Sequence, residues 1–457
     1  MRSLETLTLF FLLTTTILLF IDKKRNRFLV SLIITSGTIM AQYFAGGIRW
    51  QLGPCIYLML AMYIIHRRNN GRLKQHHKAL ITTWFLVASV IPIVIPVFSL
   101  PSPEGSYAIG TEVFHWVDSS KSEWFTPENT KDYREIMVQL WYPGVLTQRQ
   151  TPEPYMDYIK LRTKTIAAAG KLPSFLPSHL NLVETHSYKN LTCINKSSVL
   201  PVVVFSHGLT GSRYLHQSLF ENLASFGYTV AALDHSYDCN LTVFPDGRTA
   251  DYRSDITGHP DSVKIRKRQI ETRSHDIRFV LDQIEKIQSG KIQSNLNGKL
   301  NLHNIAVGGH SYGGATAILS AQEDDRIRAC FNLDGWINPL PDSSIKMGLN
   351  IPIMYMGRPS WSESDYPSNY SCLKNLMANT VSDKYHLIIK ETLHLDYTDI
   401  PLYSPIIKYI MDVGELPHET SIPMINQLVK GFLDYHLLNK SDKYFRSILS
   451  RPLIINL

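Results

Sequence analysis

The stretch Val307-Gly308-Gly309-His310-Ser311-Tyr312-Gly313-Gly314-Ala315 decides how this 457-residue chain is read. It contains Gly-x-Ser-x-Gly at Gly309, Ser311 and Gly313, with an apolar run at 304–308 before it and the small residues Ala315, Thr316 and Ala317 after it. A serine on a sharp strand-to-helix turn takes a strained backbone conformation, and its neighbours must be tiny so that strand and helix can approach. The turn lifts the hydroxyl above the sheet edge and aims the first helical N–H groups at an oxygen that gains charge. A bare Gly-x-Ser-x-Gly arises often by chance. The strand before this one and the small-residue helix after it make Ser311 a candidate nucleophile.

Working outward from Ser311, short β-rich runs alternate with amphipathic stretches from about residue 101 onward. The expected strands are 136–142, 201–205, 228–233, 304–308, 327–333, 351–356 and 385–389. The expected helices are 214–226, 263–288, 311–322 and 422–437. Such alternation implies a mainly parallel sheet flanked by helices, with 136–142 at an antiparallel edge. Residues 147–182, 236–262 and 338–349 read as loops or caps, and Gly357-Arg358-Pro359-Ser360 ends a strand. With the serine turn, this pattern predicts an α/β-hydrolase fold over 101–457.

In that fold the chain order is serine, acid, histidine. Few of the 17 histidines lie late on a loop after a strand, but His394, just past 385–389, does. His207 and His310 read as packed, loop-bracing residues. For the acid two places fit: Asp334, which ends the strand 327–333, and Glu363 or Asp365, in the loop after the next strand. Strand-end geometry favours Asp334, because a carboxylate there reaches the site from the same edge as Ser311. An oxyanion hole needs two backbone N–H donors. Tyr312, after the nucleophile, supplies one, and Leu209, in Ser206-His207-Gly208-Leu209-Thr210-Gly211 after a buried strand, supplies the other.

The first hundred residues differ from the rest. They hold 11 lysines and arginines against 2 acids, a charge of +9, while the whole chain carries +7. The remainder is therefore slightly acidic, which argues against a nucleic-acid partner, since that needs a basic face on a folded domain. Apolar runs at 7–21, 28–48, 52–65 and 79–100 predict about four transmembrane helices in an anchor spanning 1–100. Lys23, Lys24, Arg25 and Arg27 fill the first loop, and Arg67, Arg68, Arg72, Lys74 and Lys78 the third. Positive loops stay in the cytoplasm, so both chain ends and the large domain are expected on the other side. The runs lack internal charges, which argues against a transport or sensor module. No CxxC or zinc spacing occurs among the five cysteines, and no metal or cofactor is expected. Cys193, Cys239, Cys330 and Cys372 are either two disulfides or reduced thiols. Asn-x-Ser/Thr triplets begin at Asn190, Asn195, Asn240, Asn369 and Asn439.

Three segments, Val203-Val204-Phe205-Ser206-His207-Gly208-Leu209, Gly309-His310-Ser311-Tyr312-Gly313-Gly314 and Leu333-Asp334-Gly335-Trp336, resemble the platelet-activating factor acetylhydrolase family, which includes lipoprotein-associated phospholipase A2. The resemblance covers about 107–437. It implies a triad of Ser311, Asp334 and His394, with Leu209 and Tyr312 as oxyanion donors. It also implies acyl transfer without metal, on short or oxidised acyl esters of phospholipids. The first hundred residues have no counterpart in the secreted mammalian enzymes. A general carboxylesterase or polyesterase is the competing enzyme reading, and a non-catalytic membrane binding protein on the same fold is the competing reading of another class.

Overall fold

A computed structural model describes residues 2–22, 26–68, 73–129, 131–147, 150–195, 199–256, 259–359 and 367–457. The chain divides into two compact units. One comprises Met1–Ser99, Ala167–Val183 and Leu402–Ile407, and the other holds the rest.

The first unit is built on the helices Ser3–Ile21, Asn26–Gly46, Gly53–Arg68 and Gln75–Val94. Three of them are long and apolar enough to cross a membrane; Gly53–Arg68, with 16 residues, is shorter. Consecutive helices run antiparallel, as their end contacts show. At one end Arg49 pairs with Glu5 at 2.8 Å and donates to Pro92 O at 3.0 Å, while Arg2 donates to Gly46 O. At the other end the Phe28 and His66 rings lie 4.5 Å apart. The first two helices are joined by hydroxyls: Thr15 Oγ1 lies 2.7 Å from Ser31 Oγ and 2.9 Å from Thr35 Oγ1, and Thr8 bonds Thr38. Glu5 and Arg49 are both buried. This pair at the end of the bundle was not anticipated from the sequence, and removing one partner would cost about 3–5 kcal/mol.

The second unit is a large mixed sheet. In spatial order its strands are Ile454–Asn456, Lys384–Ile389, Ile353–Gly357, Ile327–Leu333, Leu300–His310, Leu200–Ser206, Thr229–His235, Tyr133–Val145, Ala108–Ser122 and Ser187–Lys189. The six from Lys384–Ile389 to Thr229–His235 are mutually parallel. Leu200–Ser206 is buried along its whole length. Val202 and Val204 pack into the core on one face, and Val203 and Phe205 into the core on the other, as a period of two dictates. Each such side chain contributes about 1.5–3 kcal/mol of burial. Helices Ser262–Gln288, Tyr312–Glu323 and Pro367–Asn379 cover the first face. Gln217–Ser225, His418–His436 and Lys443–Leu449 cover the second.

Several expectations need correction. The run 136–142 is interior, paired on both sides, because Ala108–Ser122 lies outside it. That strand carries no clear period-two signal, because Glu112, His115 and Asp118 blur its alternation. The helix expected at 214–226 spans only Gln217–Ser225. Residues 147–182 include the helix Ile159–Ala169, 236–262 include the hairpin Leu241–Val243/Thr249–Asp251, and 338–349 include Asp342–Met347. All five cysteines are free thiols. Asn369 is buried and holds Gly335 O, Ile337 N and Asn338 N, so the folded chain offers no glycan site there.

Candidate active site

Ser311 joins the strand Leu300–His310 to the helix Tyr312–Glu323 with φ 55° and ψ −121°. A non-glycine residue there costs about 1–3 kcal/mol and persists only where its surroundings over-determine it. The glycines around it are sterically required. A Cβ on Gly309 would lie 2.1 Å from Gly313 O, and one on Gly313 would lie 2.0 Å from Ser206 O. The Ser311 backbone is clamped from outside as well: its N–H donates to Leu333 O at 3.0 Å, and its carbonyl accepts Trp336 N–H at 2.9 Å. The Leu-Asp-Gly-Trp segment therefore grips the serine on both sides of its own aspartate.

That aspartate, Asp334, is fully buried, with φ 45°. Its N–H donates to Met356 O at 2.7 Å, Oδ1 accepts Arg358 N–H at 2.8 Å, and Oδ2 accepts His394 Nδ1–H at 2.5 Å. His394, part-exposed, opens the short 3-10 turn His394–Tyr397 after the strand Lys384–Ile389. With Nδ1–H donated to Asp334, the basic lone pair of the ring sits on Nε2. Asp396 Oδ2 accepts Leu393 N–H at 2.7 Å and Gly414 N–H at 2.6 Å, and Leu395 N–H donates to Asp412 O. Burial pushes the Asp396 carboxyl up to about 6. Arg358, just after the strand Ile353–Gly357, reaches Asp412 with Nη1 at 2.7 Å while its N–H holds Asp334, so the acid and the histidine turn are also linked indirectly, through Arg358 and Asp412. Arg358, Asp396 and Asp412 were not singled out in the sequence. They are ordinary surface-loop residue types until the strand ends converge. Glu363 and Asp365, the other positions for the acid, lie outside the described residues.

His310 packs against His394 with ring centroids 4.6 Å apart and the planes tilted by 31°, and its Nε2 lies 3.1 Å from His394 O. Burial, with the neighbouring His394, holds His310 well below the ordinary histidine range, so it is a neutral support. His207 Nδ1 donates to Gly208 O at 2.6 Å, and Nε2 accepts His235 N–H at 3.2 Å, which makes it the brace of its own loop. Leu209 is a half-buried turn residue immediately after Gly208. A Cβ on Gly208 would lie 3.1 Å from Ser311 Cβ, so this loop sits against the nucleophile. Tyr312 is the first residue of its helix, and its N–H has no carbonyl one turn earlier to bond.

Two further clusters have the composition of a site. Ser206 Oγ lies 2.9 Å from His235 Nε2, and His235 Nδ1 lies 2.8 Å from Asp276 Oδ2. All three are buried, with Asp276 also paired to Arg134, so this second Ser-His-Asp set underpins the sheet rather than meeting an ester. His207, Asp234 and Cys239 come within 4.8 Å of one another. Their donor atoms are already committed: Asp234 is ion-paired with Arg213, both His207 nitrogens are bonded, and burial pushes the Cys239 thiol up to about 12. That set does not fit a metal ion without losing the Arg213 pair.

Residues 94–447 match the family model described as platelet-activating factor acetylhydrolase, isoform II. A platelet-activating factor acetylhydrolase of Canis lupus familiaris is 24% identical over 367 residues, 75% of this chain and 78% of that protein. A probable 1-alkyl-2-acetylglycerophosphocholine esterase of Arthroderma benhamiae is 23% identical over 407 residues, 80% of this chain and 95% of that one. Among solved structures, a ferulic acid esterase from Streptomyces cinnamoneus superposes with a TM-score of 0.64 at 26% identity, covering 79% of this chain and all of that one.

Proposed function

Because the chain belongs to the platelet-activating factor acetylhydrolase, isoform II, family and is a hydrolase of carboxylic esters, we propose that it cleaves short or oxidised acyl esters of phospholipids through Ser311, Asp334 and His394 while anchored in a membrane. The observation that carries this reading is the His394 Nδ1–Asp334 hydrogen bond beside a serine whose backbone is clamped on both sides of that aspartate. In this mechanism His394 Nε2 takes the Ser311 proton as Oγ attacks the acyl carbonyl. The oxyanion forms against the N–H groups of Leu209 and Tyr312, and Asp334 holds the imidazole tautomer and stabilises the imidazolium. Collapse breaks the acyl–oxygen bond, and the leaving alcohol takes the proton from His394. Water, deprotonated by the same nitrogen, then releases the acid and restores Ser311.

The rival ester class has its own support in the likeness to the ferulic acid esterase. Turnover of sn-2-acetyl, sn-2-palmitoyl and feruloyl esters separates the two. The expected order is acetyl glycerophosphocholine first, by about 10²-fold over the palmitoyl ester, which would be a difference of about 2.7 kcal/mol. A faster feruloyl ester would sink the phospholipid reading and leave the hydrolase one.

The anchor reading rests on the four antiparallel helices, with the Glu5–Arg49 cluster at one end and the Phe28–His66 ring contact at the other, and on the basic residues that the sequence sets between the first two and the last two apolar runs. On the rule that basic loops remain cytoplasmic, residues 101–457 form a catalytic domain on the non-cytoplasmic side. A topology reporter fused after Leu457 should therefore be active only outside the cytoplasm. A cytoplasmic signal would mean that one helix does not cross, Gly53–Arg68 first, being the shortest.

A further inference from the structure

We propose that Arg273, on the helix Ser262–Gln288, is a positioning residue that sets the direction of the oxyanion-donor peptide; this rests on reading Leu209 and Tyr312 as the donors. Arg273 is fully buried. Its Nε lies 2.7 Å from Asp238 Oδ2, its Nη1 donates to His207 O at 2.7 Å, and its Nη2 lies 3.5 Å from Gly208 O. Its guanidinium carbon sits 4.9 Å from the centre of the Tyr312 ring. One buried cation thus touches both segments that supply the donors.

The geometry of the peptide unit turns these contacts into direction. A trans peptide is planar, and its C=O and N–H point opposite ways. The His207 carbonyl is pinned by Arg273, and the Gly208 carbonyl is held by His207 Nδ1 at the edge of the same guanidinium. The Leu209 N–H, which shares a peptide unit with the Gly208 carbonyl, is therefore turned away from Arg273. Gly208 itself lies against Ser311 and His310. Asp238 completes the frame: its carboxylate accepts from Arg273, Ser254 and Gln269, and its carbonyl accepts Thr210 N–H at 3.3 Å. A buried guanidinium must have its donors met. Here loop carbonyls meet some of them, so rotating the loop would strand the cation. Loop direction and cation burial are coupled.

The test uses the full-length protein, with ester kinetics and a trifluoromethyl ketone, whose adduct with Ser311 carries an oxyanion. Arg273→Met should lower kcat by about 10²-fold, the scale of losing one oxyanion donor, with little change in KM. Affinity for the ketone should fall by the same factor, whereas a non-hydrolysable ether analogue should bind unchanged. Arg273→Lys keeps the charge beside Asp238 but loses the planar fork, and should recover only part of both losses. If Arg273→Met does not fold, Arg273→Met/Asp238→Asn removes both buried charges and carries the same comparison. A folded variant of either kind with kcat and ketone affinity within about threefold of the parent overturns the proposal. Leu209→Pro, which deletes the donor N–H, separates the two ideas. If it keeps kcat and ketone affinity, the donor reading fails. If it loses both while Arg273→Met keeps them, only the role of Arg273 fails.

Discussion

Ser311→Ala is expected to abolish ester hydrolysis, with a loss of about 10⁶-fold in kcat, the scale observed when a serine hydrolase loses its nucleophile. The variant should fold, because alanine keeps the Cβ and meets the same φ of 55° that serine already tolerates. The backbone clamp is also untouched, since Leu333 O and Trp336 N bind the Ser311 main chain. Covalent labelling by a fluorophosphonate should disappear with activity, because the probe needs the Oγ that attacks the acyl carbon. Hydrolysis or labelling that survives in the alanine protein would place the nucleophile elsewhere. A parent protein that is folded yet neither turns over esters nor takes the label would instead favour a binding role for the fold.

The second large effect concerns the acid. Asp334→Asn should leave the fold intact and lower kcat by about 10⁴-fold, as in other triads whose histidine is held in the wrong tautomer. The geometry says why. Asp334 Oδ1 accepts the Arg358 N–H and Oδ2 accepts His394 Nδ1–H, so both oxygens act as acceptors. An asparagine has one acceptor and one donor end. If its oxygen stays on Arg358 N–H, its NH₂ faces His394 Nδ1. The ring must then carry its proton on Nε2, the atom that has to take the serine proton. The flipped amide sets NH₂ against the Arg358 N–H instead and is disfavoured. Glu363→Gln and Asp365→Asn should be mild by comparison. Kinetics on the three variants, with circular dichroism to confirm folding, decides among them. A crippled Asp365→Asn beside a nearly normal Asp334→Asn would move the acid to the later loop.

Local sequence carried much of this protein. The glycines around Ser311 are legible because strand and helix leave no room for a Cβ on either neighbour. The unbroken run of Val202, Val203 and Val204 reads as a strand buried on both faces, and it is one. The basic loops and apolar runs set the first hundred residues apart in composition and charge. Each of these signals lies within one element, where spacing and residue size are enough. The strand Ala108–Ser122 did not show itself, since its burial depends on a partner that composition does not reveal.

Chain order and strand ends brought Asp334 and His394 forward as candidates, but their 2.5 Å pairing depends on two loops 60 residues apart meeting at one sheet edge. The Arg358–Asp412 pair beside them and the Arg273–Asp238 pair behind the His207–Gly208 loop had no local signal at all. An arginine in a sequence is a solvated charge by default. Only the packing of a helix against two loops takes its water away and makes backbone carbonyls its remaining partners. The sequence by itself determined which residue types are candidates for the chemistry and which segments they sit on; the tertiary structure decided which of them touch, because desolvation and reach are properties of the packed sheet and not of any single element.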